Sequence, residues 1–531
     1  MDILTIYAIA IGGIFLSLVI YRALKVFAPW SNAMNVFIYQ HLAYPYVLGR
    51  HSLLGPWTRA GVFLHLIYLA INLLLLFFNS ISMAASGRRA GTLSLLNMIF
   101  LLASWHLSNL ADILGISLRI YRRMHRAAGW MVVALVVFHV LAMLQGKTHE
   151  DQEINTGRLS AIIGAGCLCS LVILSLPFCR RLSYELFLRL HQALAVVSVY
   201  GIWRHLPSEK YSSRLYLYIA LGILGSTSFS HLILFLYRNG LFSGNGCPRA
   251  IAICHKNERD AENAGQHARA TPIRVRLILP RPIKAMAGQY INLWLPSLGL
   301  WSWVQTHPFM ITSWSRTDQG VLDLLVEPRG GLTKTLVRQA HAAPKGNFSS
   351  LALYSGPHGI SECVDKYESV LLVASGAGIA AIIPYAKKLI HGYNTCTSHV
   401  RRMHLIWQVE SLDVAISMQG LLNDLLKDDV LDDGYILAIS VYVGRGLLSH
   451  EKLPFGKHDR AFLYQGTPDY SIIIPAEVSG EKIERLPNIR DERGQMLLIT
   501  SASARLRDNL RHIARGYLHQ RLQMIELEYQ P

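Results

Sequence analysis

Acidic residues are scarce in this chain. Its 34 Asp and Glu stand against 51 Lys and Arg, a net charge of +17 over 531 residues. Such an excess raises nucleic acid as a partner. No zinc-finger, RNA-binding or helix-turn-helix signature accompanies it, and the basic residues are spread out, so nucleic acid is set aside. Inward-facing loops and sites for phosphate-bearing cofactors account for the charge better. Cysteine is also sparse. Cys167, Cys169, Cys179, Cys247, Cys254, Cys363 and Cys396 make neither a zinc pattern nor a secreted disulfide framework. Most read as reduced cytosolic or lipid-buried thiols. Internal repeats and low-complexity tracts are absent. The first apolar stretch, Ile3 to Tyr21, follows Asp2 and lacks the basic start of a secretory signal. It reads as a retained anchor, a cleaved signal being the other reading.

Apolar residues are plentiful, at 52%, with a mean hydropathy of +0.29. They concentrate in the first 240 positions, which divides the chain into a membrane half and a soluble half. Further spans are expected at Gly61 to Phe78, Leu93 to Ile113, Met124 to Leu144, Leu159 to Phe178, Leu186 to Trp203 and Leu215 to Tyr237. With the first, that makes about seven. Placing the N-terminus outside puts eleven basic residues in inner loops and six in outer ones. The C-terminal half is then cytosolic.

Two of these spans carry matched histidines: His125 and His139 on one, His191 and His205 on the other. Each pair is fourteen residues apart. At about 100° per residue, fourteen steps return to within about 40° of the same face, roughly 21 Å further along the helix. The two spans run the same way, so His125 faces His191 at the inner level and His139 faces His205 at the outer. A haem iron takes two axial imidazoles, and this arrangement fits two stacked haems. A single membrane histidine can instead be a bundle hydrogen-bonder. The repetition on two spans argues against that here.

After Tyr237 the composition changes. Residues 240 to 270 read as a linker. Short strands follow in TPIRVRLIL, QYINLWLP, HPFMITSW and VLDLLVEP, as in a small antiparallel barrel. SVLLVASGAGIAAIIPYAKKLI reads as a buried strand, a glycine turn and a helix. HLIWQV with a following helix and ILAISVYVGR come next, then an extended insertion over 457 to 495, then a last strand and helix.

Gly376, Ala377 and Gly378 leave room for a pyrophosphate at a helix N-terminus. The third glycine of the dinucleotide fingerprint is missing, and a tight strand–helix turn is the other reading. In His307-Pro308-Phe309-Met310-Ile311-Thr312-Ser313, hydroxyl, backbone and aromatic groups suit a flavin edge, though an ordinary barrel strand has the same composition. Arg329 to Thr333 is suited to a flavin pyrophosphate. Ser355 to Gly359 closes the barrel. The outer loop GKTHEDQEINT, with His149, Glu150, Asp151 and Glu153, reads as a solvated charged loop.

The two histidine pairs with their flanks, HPFMITS, GGLTKTL, GPHG, SGAGIA and IWQVE together resemble the fungal ferric reductases, relatives of the NADPH oxidases. The resemblance implies a multi-domain chain: a transmembrane helical bundle with a six-helix haem core, a cytosolic FAD-binding antiparallel β-barrel and an α/β NADPH-binding domain. The expected divisions are an anchor and linker over 1–55, a haem domain over 56–240, the barrel over 241–360 and the α/β domain over 361–531. Two b-type haems, FAD and NADPH are the implied cofactors. His125, His139, His191 and His205 match the haem-iron ligands, and Arg126 is placed to pair with a propionate. His307, Pro308, Phe309, Thr312 and Ser313 match the flavin strand, and Gly331 and Thr333 its phosphate segment. Gly376, Ala377, Gly378 and Arg445 match the NADPH site, with Arg445 toward the 2′-phosphate; a solvated loop arginine is the other reading.

The family's Cys-Gly-Pro segment is replaced by Thr500-Ser501-Ala502-Ser503. Ser501 is expected to line the nicotinamide site with altered kinetics, and Tyr529 is the counterpart of a flavin-covering aromatic. The implied activity is reduction of Fe(III) chelates, or Cu(II), across a plasma membrane in iron uptake, with an iron permease/oxidase pair as partner. A superoxide-generating oxidase and a scaffold without turnover are the alternatives.

Overall fold

The computed structural model describes residues 3–24, 32–51, 55–145, 156–206, 211–241, 246–253, 272–299, 302–303, 305–343, 347–430, 435–446, 452–483 and 494–527. The loop carrying His149 to Glu153, most of the expected linker, and Tyr529 lie outside the described residues. Two compact units divide the chain: Met1–Trp30 with Pro45–Ile233, and Ser31–Tyr44 with Leu234–Pro531.

The first unit is helical. It begins with α1 (Ile3–Leu24). Beyond α2 (Asn32–Ile38), which belongs to the other unit, come a short hairpin, β1 (Tyr46–Leu48) and β2 (Trp57–Thr58), and then α3 (Arg59–Phe77), α4 (Met83–Ala103), α5 (Leu107–Leu114) and α6 (Leu118–Leu144). The unit continues with α7 (Thr156–Leu174), α8 (Pro177–Leu182), α9 (Tyr184–His205) and α10 (Tyr211–Arg238). Hydroxyls set several helix starts. Thr58, Ser82, Ser117 and Ser183 each accept a hydrogen bond from a backbone N–H of the first turn.

Among the described residues five helical segments are long and apolar enough to cross a membrane: α3, α4 with α5, α6, α9 and the Arg214–Arg238 stretch of α10. The shorter apolar stretches Ile3–Val19 of α1 and Leu159–Leu174 of α7 fall at two more of the seven expected spans. The expected fifth span ran on to Phe178, but Pro177 opens a separate helix there. The expected third span, placed at Leu93, begins instead at Met83, because Ser82 caps it. Arg88 and Arg89 therefore sit on a helix and not in a loop.

In the second unit, a barrel precedes a parallel sheet. The barrel contains β3 (Arg249–Ile253), β4 (Ile273–Ile283), β5 (Tyr290–Trp294), β6 (His307–Met310), β7 (Gln319–Val326), α11 (Gly331–Ala342), β8 (Asn347–Leu351) and β9 (Leu353–His358). All its strand pairs are antiparallel, in the orders β7-β4-β3-β8 and β6-β5-β9. Alternation explains β4: Ile273, Val275 and Leu277 are buried, while Arg274 and Arg276 between them reach Asp323. β3, β8 and α11 escaped the sequence reading.

The α/β part comprises β10 (Ser369–Ser375), α12 (Ile379–Asn394), β11 (Arg402–Ser411), α13 (Leu412–Asp428), β12 (Leu437–Arg445), β13 (Leu453–Pro454), β14 (Ala461–Gln465), α14 (Tyr470–Val478), β15 (Met496–Ser501), α15 (Ala504–Arg515) and β16 (Leu522–Glu526). The sheet order is β13-β14-β12-β11-β10-β15-β16, parallel except for β13. The expected insertion over 457 to 495 is in part regular structure. β14 pairs with β12, and α14 buries Tyr470 and Ile474 in the core. β16 follows the helix that was expected to be the last element.

Residues 22 to 60 read as mixed in sequence, yet α2 and the π-helical turn Tyr39–Ala43 after it belong to this unit. Tyr44 is buried there beside Leu371 and Leu522, and its hydroxyl donates to the Met524 carbonyl at 3.3 Å.

Glu477 on α14, with a side chain only 1% exposed, ties the sheet to that helix. Arg402 grips it through two nitrogens, at 2.7 and 2.9 Å, and His404 Nδ1 lies at 3.0 Å. Burial pushes this carboxyl up, but the bonds from Arg402 and His404 outweigh it and hold the group well below the usual range. A depressed carboxyl stabilises the fold above its unfolded value, about 4.3, and the benefit fades as pH falls through the folded value. Glu477→Gln is expected to cost roughly 3 kcal/mol and to flatten the loss of stability below about pH 4. Differential scanning fluorimetry of the full chain across pH checks both.

Candidate functional site

The four predicted histidines meet in the first unit as two pairs. His125 and His191 have ring centroids 6.3 Å apart, and His139 and His205 6.4 Å. Two metal–nitrogen bonds of about 2 Å, with the two ring half-widths, span about 6.4 Å between imidazole centres. Both gaps are therefore the width of one metal ion held between two imidazoles. His106 and His231 make the contrasting pair: their rings stack at 4.3 Å with 20° between planes, too close for that arrangement.

Nitrogen partners differ between the levels. His139 Nδ1 meets the Gly87 carbonyl at 2.7 Å, which leaves Nε2 for a ligand. At the other level, Nδ1 of both His125 and His191 is buried without a hydrogen-bond partner among the described residues. Gly129, one turn above His125, leaves open space where a side chain would stand. Buried donor sets facing an open gap are what a planar macrocycle requires, so the residues present fit a haem at each level. Arg126 is exposed and shares its surroundings with Arg122, Arg123 and Arg180, a cationic setting that suits propionates.

Small residues bring the helices together. A Cβ at Gly87 would lie 2.8 Å from Ala142 Cβ, and one at Gly91 would lie 3.2 Å from His139 Nδ1. On α9, a Cβ at Gly201 would lie 2.8 Å from the Ser160 carbonyl of α7. These are small-residue contacts of the kind that pack membrane helices. The signal was legible as Gly87-x-x-x-Gly91 and went unread.

On the barrel, β6 holds His307, Pro308 and Phe309, with Phe309 9% exposed. Thr312 donates to the Asp323 carbonyl at 2.9 Å, and Ser313 accepts from the Asp323 N–H at 3.2 Å. Both hydroxyls are thus engaged in holding β7. Gly330 and Gly331 open α11, with φ +50° at Gly331 and empty space beside both Cα atoms. The Thr333 hydroxyl donates to the Gly330 carbonyl at 3.0 Å and accepts from Arg329 N–H at 3.1 Å. An open helix N-terminus behind glycines suits a pyrophosphate.

On the parallel sheet, Gly376 (φ +51°) to Gly378 form one tight turn between β10 and α12. Trp407 pins it by donating from Nε1 to the Gly376 carbonyl at 2.8 Å. The chain runs outward from β10 to β11, β12 and β14, then returns to β15 on β10's other side. That reversal marks the switch point at which such sheets bind ligands. Ser501 ends β15 opposite Ala374, and Ser503 N–H donates to Ser375 Oγ at 2.7 Å. The Thr500 and Ser501 hydroxyls are both fully buried and lack hydrogen-bond partners among the described residues. In sequence, Thr500 stood only as part of the segment that replaces Cys-Gly-Pro and was given no role of its own. Arg445, exposed at the end of β12 opposite Ser411, sits at the same edge of the sheet.

The family described as the ferric reductase like transmembrane component matches residues 90–202. An FAD-binding domain matches 271–363, and the ferric reductase NAD binding domain matches 367–452. Three family models, two of them named for ferric reductases, thus match successive parts of the chain. Similar proteins include ferric/cupric reductase transmembrane component 2 of Saccharomyces cerevisiae, 27% identical over 51% of this chain and 36% of that one. Ferric reductase transmembrane component 4 of the same yeast is 26% identical over 62% and 42%. Ferric/cupric reductase transmembrane component 1 of Candida albicans is 24% identical over 48% and 30%. The matched regions thus span less than half of each of these relatives. In these matches a transmembrane component precedes FAD- and NAD-binding domains.

Two substitutions test the local geometry. Gly91→Val drives a side chain into His139 at a cost of about 1–3 kcal/mol. A haem held between His139 and His205 would be lost selectively, read as haem per polypeptide. Gly376→Ala puts a side chain at a left-handed position and should weaken nicotinamide binding roughly tenfold, measured by titration of flavin reduction.

Proposed function

We propose that this chain is a transmembrane ferric-chelate reductase, drawing on cytosolic NADPH and delivering electrons to Fe(III), or Cu(II), across the membrane. The observation that carries the reading is the pair of imidazole gaps, 6.3 and 6.4 Å, on two apolar helices. When bound, FAD would accept a hydride from NADPH, and two haems would supply one-electron carriers across the lipid.

The protein's own residues supply position and charge. His125 and His191 would hold the inner haem, His139 and His205 the outer, and Arg126 would face a propionate. The His307 to Ser313 strand would align the flavin, with Gly331 and Thr333 at its phosphates. Gly376 to Gly378 would seat the nicotinamide cofactor's pyrophosphate, and Arg445 its 2′-phosphate. Ser501 offers a buried donor where the family usually carries cysteine. With His125, His139, His191 and His205 filling the positions at each iron, a bound haem would carry electrons and would not itself take up the acceptor.

Orientation is supported by the chain's path. The Ser31–Tyr44 segment groups with the C-terminal unit, which supports a reading with the connection between α1 and α3 on the same side of the membrane as the flavin and nicotinamide domains. The expected inner-loop excess of basic residues supports a cytosolic reading of that side.

The deciding experiment gives NADPH to the purified, reconstituted protein with ferric chelate as the acceptor, then with oxygen alone. Haem bands should bleach and Fe(II) should accumulate. Superoxide without Fe(II) would instead establish an oxidase, and haem that NADPH never reduces would establish a scaffold. Ser501→Ala should slow NADPH-dependent flavin reduction about fivefold, the worth of one hydrogen bond near 1 kcal/mol. Ser501→Cys should retain most of it. Stopped-flow at the flavin absorbance checks both.

A further inference from the structure

Helix α12 starts at the glycine turn proposed for the nicotinamide cofactor and rests on the barrel at two points further along. Tyr385, fully buried and about two turns past Gly378, makes the first. Its hydroxyl accepts the Glu362 N–H at 3.0 Å, in the link between β9 and β10. Its ring lies against Gly288, in the turn between β4 and β5. A Cβ there would stand 3.0 Å from Cε2 and Cζ and closer still to the hydroxyl oxygen. Gly288 also has φ +84°, so glycine meets two demands at one position. At the second point His391 packs on Trp314, with ring centroids 5.4 Å apart. All these residues belong to the second unit.

Both barrel points connect to the stretch proposed to align the flavin, His307 to Ser313. Gln289 follows Gly288, and its carbonyl accepts from Ile311 N–H at 3.1 Å. Its side-chain amide donates to the Gly359 carbonyl at 3.2 Å. Trp314 follows Ser313 directly. His391 Nε2 has no hydrogen-bond partner among the described residues, so the directional contact is the one made by Tyr385. Direction matters because hydride transfer is steep in distance. The reacting atoms must approach to about 3–3.5 Å, and a misplacement of about 1 Å costs on the order of a hundredfold.

We propose that Tyr385 is a positioning residue for hydride transfer. A hydrogen bond to the link on one side and a glycine seat on the other hold α12 at one place on the barrel. The Gly376 to Gly378 turn is thereby kept at one distance from the flavin strand. Tyr385 acts through the backbone at Glu362 and Gly288. The claim deepens the NADPH-to-FAD reading above and rests on it.

The test compares the reconstituted full-length parent with two variants. Tyr385→Phe keeps the ring and loses the hydroxyl. Glu477→Gln destabilises the same domain through Arg402 and His404, away from Tyr385. Stopped-flow reduction by NADPH gives the limiting rate and KM. Long-wavelength absorbance of the dithionite-reduced protein with NADP+ reports nicotinamide stacked on flavin. Tyr385→Phe should lower the limiting rate at least about fivefold, leave KM within about twofold and weaken the absorbance band. Glu477→Gln should melt earlier and keep the parent's rate and band. A Tyr385→Phe protein with the parent's rate and band, or one changed in melting alone, would overturn this proposal and leave the reductase reading standing. A parent that NADPH does not reduce would overturn that reading and this proposal with it.

Discussion

Everything in the membrane unit depends on one constraint: imidazoles on two helices must face each other across a gap of fixed width. A polar ring in lipid is costly unless something satisfies it. Four rings in two matched pairs concentrate that cost where a bound metal would repay it. The helices can hold the spacing only because their neighbours come close. Gly87 and Gly91 let α4 reach the His139 face, and Gly201 lets α7 seat against α9. Backbone approach, more than side-chain bulk, sets the geometry.

The second unit is governed by the same kind of constraint at the ends of its strands. Gly376 turns where a side chain would be strained, Trp407 fixes the turn, and β15 brings Ser501 beside it. Two buried hydroxyls without partners are expensive in a finished core. At a switch point they make sense as groups that meet a ligand. Arg402, His404 and Glu477, joined by Ser440 and Lys482, instead find their partners within the fold and serve rigidity.

Much of this was legible in the sequence, for a physical reason. Helical periodicity and span length are local, so the histidine spacing read through to the paired rings. The strand of β10, its glycine turn and α12 were local in the same way. What escaped depended on distant partners. Residues 32–44 looked mixed because the partners of Val36, Ala43 and Tyr44 lie more than three hundred residues away in sequence. β14 and α14 looked like an insertion because β14's partner, β12, is what makes it a strand. β16 was too short to stand out beside the amphipathic helix before it. The expected fifth span was too long because a proline that opens a helix resembles, in an apolar run, one that merely interrupts it.

The most direct measurement is haem content and low-spin spectra for the full-length protein and four variants: His125→Ala, His139→Ala, His191→Ala and His205→Ala. The account predicts two haems per chain in the parent. Loss of one and the same haem is expected in the His125 and His191 variants, and of the other in the His139 and His205 variants. One haem in the parent, or variants that pair across levels, would contradict it.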